Sequence, residues 1–365
     1  MSKIISIATG VPEHKYKQEE LFSFADEVYC NEPSESRKLK FLYTHSGINE
    51  RYSVLPDFNL PLNDRTFFPP SKDLEPFPSI ECRMAAFNKE AANLSIQTIR
   101  DCINGKIEKD NITHLITVSC TGMSAPGLDL QVMEGMDLPR NIIRTSVNFM
   151  GCYAAVHALK LADAFCKSDP TANVIVVCTE FCTLHFQKEI TPDNITASLL
   201  FGDGCAAMLV QSSSLQQKGI RIQSFFSDVS FKGSNDMAWE LSAKGFLMTL
   251  TGYVPDLIKE DFKGLATKAL EATGLKQNDV THWCIHPGGK KILEAISKSL
   301  NLDDDKLKCS YDVLRDYGNM SSATILFVLK KIWDDVSISQ PSSPVIFGAA
   351  FGPGLTMETF TATYD

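Results

Sequence analysis

Three residues, Cys152, His286 and Asn319, combine side-chain chemistry and chain position in a way suited to acyl transfer. Cys152 follows Gly151 where an apolar strand-like run (Ile142, Ile143, Val147, Phe149) gives way to a run rich in buried-helix positions (Ala154, Ala155, Val156, Ala158, Leu159, Leu161, Ala162, Phe165). Glycine permits a sharp strand-to-helix corner. A cysteine at or near the first turn of a buried helix meets free backbone N–H groups, which favour a thiolate and predict a lowered thiol pKa. The plainer reading is a small buried hydrophobe, and for a cysteine taken at random among the eleven it wins. A nucleophilic thiol also needs a base for its proton and a donor for the oxyanion. His286 ends the apolar strand Thr281–His286 and is followed by Pro-Gly-Gly, which holds the imidazole at a sheet edge. Asn319 stands at a helix start, where its amide can serve a carbonyl oxygen or merely cap the helix. The other histidines lack this combination, with His185 placed to reach the same pocket.

The elements that must position these residues repeat. In the first half come strands at Lys3–Gly10 and His114–Ser119, the Cys152 corner, an apolar strand Asn173–Glu180, and a Phe201-Gly-Asp-Gly204 turn into the strand Ala206–Val210. The second half has strands at residues 219–229 and Thr281–His286, the Asn319 loop, a helix Ser322–Trp333, a strand Pro344–Ala350 and a last strand Leu355–Ala362. Uninterrupted apolar strands imply a sheet covered on both faces. Helices are expected at Gln18–Tyr29, Met84–Arg100, Pro255–Thr273 and Lys290–Leu300, and a surface loop at Leu60–Pro78. Both halves follow one plan, strand, helix-start residue and apolar strand, so the chain reads as a pseudo-duplicated α/β protein. Its expected division is 1–215, carrying the cysteine, and 216–365, carrying the histidine and asparagine. Packed sheet beside sheet, the halves bring Cys152 and Asn319 towards one cleft.

Composition narrows the chemistry. A formal charge of −9 argues against non-specific nucleic-acid binding. Eleven cysteines without a CxxC pair suggest reduced thiols in a cytoplasm. No signal peptide or membrane-spanning run is apparent, no HExxH or other metal spacing occurs, and Gly288-Gly-Lys-Lys291 lacks the Walker pattern.

Gly151-Cys152, Ile285-His286-Pro-Gly-Gly289, Gly318-Asn319-Met-Ser-Ser322, Phe201-Gly-Asp-Gly204 and Gly348-Ala-Ala-Phe-Gly-Pro-Gly354 resemble, in order and spacing, the type III polyketide synthases of the chalcone-synthase-like group. The resemblance covers nearly the whole chain. It implies a thiolase-like, five-layered αβαβα fold and a homodimer that uses acyl-CoA and malonyl-CoA with no cofactor; the charge, spacing and hydropathy above add the expectation of no metal, no nucleic acid and no membrane. It also implies that Cys152 carries the acyl chain, while an imidazolium at His286 and the Asn319 amide stabilise the enolate left when malonyl-CoA loses CO2.

The resemblance further assigns Phe201 and Met248 as gatekeepers between CoA tunnel and initiation cavity. Met248 stands where the family usually has Phe. Lys38 matches a CoA-phosphate contact, whereas two further basic positions of the family fall on Phe41 and His45. Cys120, Cys182, His185, Trp239 and Ser321 fall around the cavity, Gly352 and Gly354 in its glycine loop, and Ala125 where a Met commonly crosses the dimer. Bulky Trp239 and His185 imply a smaller cavity and fewer extensions; the expected product is a small phenol or pyrone. Within enzymes, a ketoacyl-acyl-carrier-protein synthase III or a hydroxymethylglutaryl-CoA synthase is the alternative. Outside them, it is a catalytically silent scaffold subunit.

Overall fold

The computed structural model of the chain describes residues 2–212, 217–339 and 344–365. The division expected at residues 215 and 216 involves positions outside the described residues. Thirteen strands are described: β1 (Ser2–Gly10), β2 (His14–Lys17), β3 (Glu50–Ser53), β4 (His114–Ser119), β5 (Ile143–Asn148), β6 (Asn173–Phe181), β7 (Asp203–Ser212), β8 (Ile220–Val229), β9 (Met237–Ser242), β10 (Gly245–Leu250), β11 (His282–Ile285), β12 (Val345–Gly352) and β13 (Thr356–Tyr364). Nine of these form one sheet in the order β11-β12-β13-β8-β1-β7-β6-β4-β5.

The order reads as two copies of one half-sheet joined at β1 and β8. In each half the first strand lies antiparallel to the last, the last antiparallel to the long apolar strand, and that strand parallel to an earlier one. The join is short, Lys3 opposite Arg221 and Ile4 opposite Ile220.

Alternation along the apolar strands feeds two cores. Val174, Val176 and Cys178 of β6, and Ile346 and Ala350 of β12, enter an inner core with the helices Ala154–Ser168 and Ser322–Ser339. Ile175 and Val177, with Phe347, Ala349 and Phe351, enter an outer core with the helices Gln18–Tyr29, Ile80–Ile103, Val254–Glu271 and Lys290–Leu300. Because side chains alternate across a strand, a sheet covered on both faces needs apolar residues at every position. The layers are thus outer helices, half-sheet, the two central helices, half-sheet and outer helices, the thiolase-like fold.

The expected strands and helices are present within a few residues. The Leu60–Pro78 segment is not a free surface loop: it buries Phe68 and Leu74. The antiparallel ribbon β9–β10 was not anticipated, nor were the helices Leu128–Met136, Pro192–Leu200 and Lys308–Tyr317. Among the described residues no helix is long and apolar enough to cross a membrane.

Candidate active site

The corner before Cys152 requires glycine twice over. Gly151 has φ +82°, and a Cβ there would stand 2.2 Å from Pro353 Cδ. The helix begins at Ala154, so Cys152 lies in the turn leading into it rather than in its first turn. The second half presses on this turn from behind, where a Cβ on Gly352 would come within 3.3 Å of Cys152 N. Gly352 and Gly354 shape the support; their neighbours Phe351 and Pro353 line the cavity.

His286 follows β11 and is anchored by its own N–H, which donates to Ala349 O at 2.9 Å. Asn319 is held by the first half: its N–H donates to Leu200 O and its carbonyl accepts from Gly202 N, both at 2.9 Å. These bonds place it beside Phe201. The Ser321 N–H donates to Asn319 Oδ1 at 2.9 Å, which pins the amide oxygen and leaves Nδ2 with one long bond, 3.4 Å to Gly288 O. Cys152 Sγ lies 4.0 Å from Asn319 Oδ1.

Cys152, His286 and Asn319 line one cavity of about 550 Å³, together with Cys120, Phe201, Trp239, Met248 and Ser321. Cys182 and His185 line an adjoining inner chamber of about 610 Å³. Phe201, Trp239 and Met248 form the wall the two chambers share, and Trp239 is directly opposite Met248 in the β9–β10 register. The outward passage instead shares Leu250, Gly288 and Ile292 with the catalytic cavity. Phe201 and Met248 thus border both chambers. His185 is wedged between Trp239 and Phe246, with ring centroids 4.5 and 4.3 Å away, and its Nε2 is 2.9 Å from Thr121 Oγ1. Lys38 lies outside, in a hollow with Arg37, Phe41 and Leu42.

Burial corrects two expectations about charge. It pushes the Cys152 thiol up to about 12 and the His286 imidazole down to about 3. Both His286 ring nitrogens lack a partner among the described residues. The resting pair is a thiol and a neutral imidazole, not a helix-stabilised thiolate beside an imidazolium. Loss of solvation outweighs the helix-start effect, and among the described residues no cation contributes at either group to compensate. The buried Glu180 carboxylate adds to the rise at Cys152; it accepts from Cys120 N at 2.9 Å and from the Ser322 hydroxyl, and burial pushes it up to about 7. A neutral imidazole and an amide N–H facing one cavity can both donate to a thioester oxygen, and the imidazole can accept the thiol proton. Among the described residues no group of three His, Cys, Asp or Glu is placed to hold a metal ion.

Residues 1–214 match the domain model "Chalcone and stilbene synthases, N-terminal domain", and residues 222–363 match the C-terminal domain of the same family. The chain belongs to the chalcone and stilbene synthase family. It is a type III polyketide synthase, an acyltransferase-type enzyme.

The synthase is 28% identical over 361 residues to the "Alpha-pyrone synthesis polyketide synthase-like Pks18" of Mycobacterium tuberculosis, covering 97% of this chain and 89% of that protein. It is also 28% identical to "Probable polyketide synthase 1" of Dictyostelium discoideum, where 98% of this chain spans only 11% of that protein. The solved PKS-I of the brown alga Ectocarpus siliculosus superposes with a TM-score of 0.92 at 26% identity, covering 100% of this chain and 98% of that one.

Two features of the synthase escaped the sequence reading. Glu180 was read only as the end of a strand, though an acidic residue closing the apolar run Val174–Cys178 is itself a signal of a satisfied, buried carboxylate. Lys290 and Lys291, noted only for failing the Walker pattern, line the outward passage.

Proposed function

We propose that this synthase loads an acyl starter onto Cys152 and extends it iteratively with malonyl-CoA, releasing a small phenolic or pyrone product. The observation that carries this reading is the convergence of a sulfur from the first half with an imidazole and a carboxamide from the second in a single cavity open to an outward passage. In loading, the Cys152 thiol gives its proton to His286 as sulfur attacks the starter thioester; CoA leaves as its thiol, taking that proton. Malonyl-CoA then loses CO2, and the enolate oxygen receives N–H bonds from His286 and Asn319 Nδ2. The carbanion attacks the Cys152 thioester, a C–C bond forms, and the Cys152 sulfur leaves, ready to take back the lengthened chain. Ser321 and Glu180 act as positioning residues, Ser321 through the Asn319 amide and Glu180 through the Cys120 backbone. Phe201, Met248, Trp239, Cys120, Cys182 and His185 shape the space for the chain. A pyrone product is supported by the likeness to the mycobacterial relative, whose name specifies one.

We also infer a homodimer working in a reducing, cytoplasmic setting. β5 ends the sheet with an open edge, and Ile143, Leu130 and Met123 nearby are exposed, a surface that a second copy would cover. All eleven cysteines are free thiols, in keeping with a reducing compartment.

The test is purified protein given malonyl-CoA and a panel of acyl-CoA starters without carrier protein, with products read by mass spectrometry. Free pyrone or phenol is expected, Cys152→Ala should make none, and Cys152→Gln should still release CO2 from malonyl-CoA. Product only with carrier protein would favour a ketoacyl-carrier-protein synthase; neither product nor CO2 would favour an inert scaffold.

A further inference from the structure

The last carbonyls of a helix have no partner within it, and the macrodipole makes that end attractive to a cation. Where the helix Pro192–Leu200 ends, three successive carbonyls are each taken by a different part of the chain. Leu199 O accepts from Gln18 Nε2 at 2.8 Å, Leu200 O from Asn319 N at 2.9 Å, and Phe201 O from Arg51 Nη1. Arg51 reaches this end from β3, is 3% exposed, and also donates from Nε to Gln18 Oε1 at 3.0 Å. The guanidinium thus holds the first carbonyl through Gln18 and the third directly. The middle one is left for Asn319.

The Arg51 stem is enclosed as closely as its head. A Cβ on Gly202 would be 3.3 Å from Arg51 Cβ, and one on Gly318, where φ is +67°, would be 2.6 Å from Arg51 Cδ. These glycines flank the bridge between Phe201 and Asn319, in which Gly202 N donates to Asn319 O at 2.9 Å. Arg51 therefore passes through the joint that sets Asn319 beside Phe201. The next residue of the same turn, Asp203, accepts from Val54 N and Thr183 N, both at 2.8 Å, and from the Thr183 hydroxyl at 2.6 Å. Burial pushes Arg51 down to about 10 and Asp203 up to about 6, and their mutual attraction opposes both shifts, so at neutral pH each keeps its charge.

We propose that Arg51 is a positioning residue for the condensation: it fixes the turn at residues 200–202 and, through that turn, the place from which the Asn319 amide meets the malonyl thioester oxygen. This rests on the reading that Asn319 Nδ2 stabilises the enolate. Ser321 N orients the Asn319 amide, whereas Arg51 sets where the Asn319 backbone stands. A lysine would keep the charge but has a single point of attachment, so it cannot hold Phe201 O and Gln18 together.

The experiment compares Arg51→Lys, Asn319→Ala and the double variant. In the Cys152→Gln background, CO2 release from malonyl-CoA should fall about 10- to 100-fold in Arg51→Lys, through kcat and with little change in KM. Asn319→Ala should cost about 100-fold or more, and adding Arg51→Lys to it should cost nothing further, as expected of two residues acting through one group. Acylation of Cys152 by a starter acyl-CoA, read by intact mass in the chain that keeps Cys152, should stay near the parent rate. A merely structural loss would lower both reactions together and would add to the effect of Asn319→Ala. Native-state hydrogen exchange gives a readout without chemistry: the Gly202 and Asn319 amides should exchange faster in Arg51→Lys, and those of β6 as in the parent. If Arg51→Lys does not fold, Gln18→Met, which removes only the first arm, replaces it and should move the same readouts in the same direction by less. The proposal is wrong if exchange at Gly202 and Asn319 is unchanged, if the two substitutions add, or if acylation falls as far as decarboxylation. No CO2 from Cys152→Gln itself would sink the polyketide reading, and hydrogen exchange would still decide for or against Arg51.

Discussion

His286 is buried and Cys152 partly so, and lost solvation moves their proton affinities in opposite directions. For His286 this has a consequence for stability. The folded protein holds the imidazole neutral down to about pH 3, whereas the ordinary value is 6.5. The unfolded chain therefore binds the extra proton between those values, so stability is fully present above 6.5 and is lost as pH falls through 6.5 towards 3. Between pH 7.5 and 5 this one residue costs the fold about 2 kcal/mol. Urea unfolding should show the parent losing about that much more than His286→Gln over the same interval, because His185, also depressed, and Glu180, raised, contribute equally to both proteins. Parallel pH profiles for the two would mean that His286 is solvated and titrates normally. The residue types were legible in the chain, since Cys, His and Asn each stand beside glycines at element ends. Their charge states were not, because desolvation sums over neighbours such as Trp239, Met248 and Phe351 that are distant in sequence.

At the scale of elements, the catalytic geometry depends on one corner interlocking with one loop. Gly151 meets both demands that exclude other residues, a positive φ and contact with Pro353. Gly105 meets only the first: it has φ +68° and nothing within 4 Å of its would-be Cβ. Gly105→Ala should cost about 1 kcal/mol of backbone strain and leave condensation intact. Gly151→Ala must in addition push Pro353 away and shift Cys152; a loss of about 3 kcal/mol or more is expected, with product formation falling well beyond what unfolding explains. Equal effects of the two substitutions on activity would show that the corner does not set the nucleophile. Strands such as β6 and β12 were readable because residues buried on both faces leave an unbroken apolar run. The β9–β10 ribbon was not: Met237-Ala-Trp-Glu-Leu-Ser mixes half-buried and exposed positions and Gly245-Phe-Leu-Met-Thr-Leu buried and half-buried ones, neither with clean alternation. Its register matters all the same, since it sets Trp239 against Met248 on the wall between the chambers.

For the molecule as a whole, the open edge at β5 is the least finished part of a single chain. Ile143 is 53% exposed there, and Leu130 on the adjacent helix is 37% exposed. A two-fold pairing of β5 with its copy would satisfy the edge and bury both. Light scattering should give twice the 40.4 kDa chain mass for the parent, and Ile143→Lys/Leu130→Lys should shift it towards the monomer without unfolding it. A monomeric parent at micromolar concentration would refute the dimer.

The amino-acid order was enough to establish the repeated α/β plan, the candidate nucleophile and its two companions, and the resemblance to a condensing-enzyme family. Each of those is written in short-range spacing: apolar alternation, glycines at corners, a polar residue where an element ends. Only the folded chain decided that the thiol and imidazole are both neutral and that Phe201 and Met248 border both chambers. The passage of Arg51 between Gly202 and Gly318 likewise became visible only there. Dehydration and cross-chain proximity belong to groups brought together from far apart in sequence, and no local pattern encodes them.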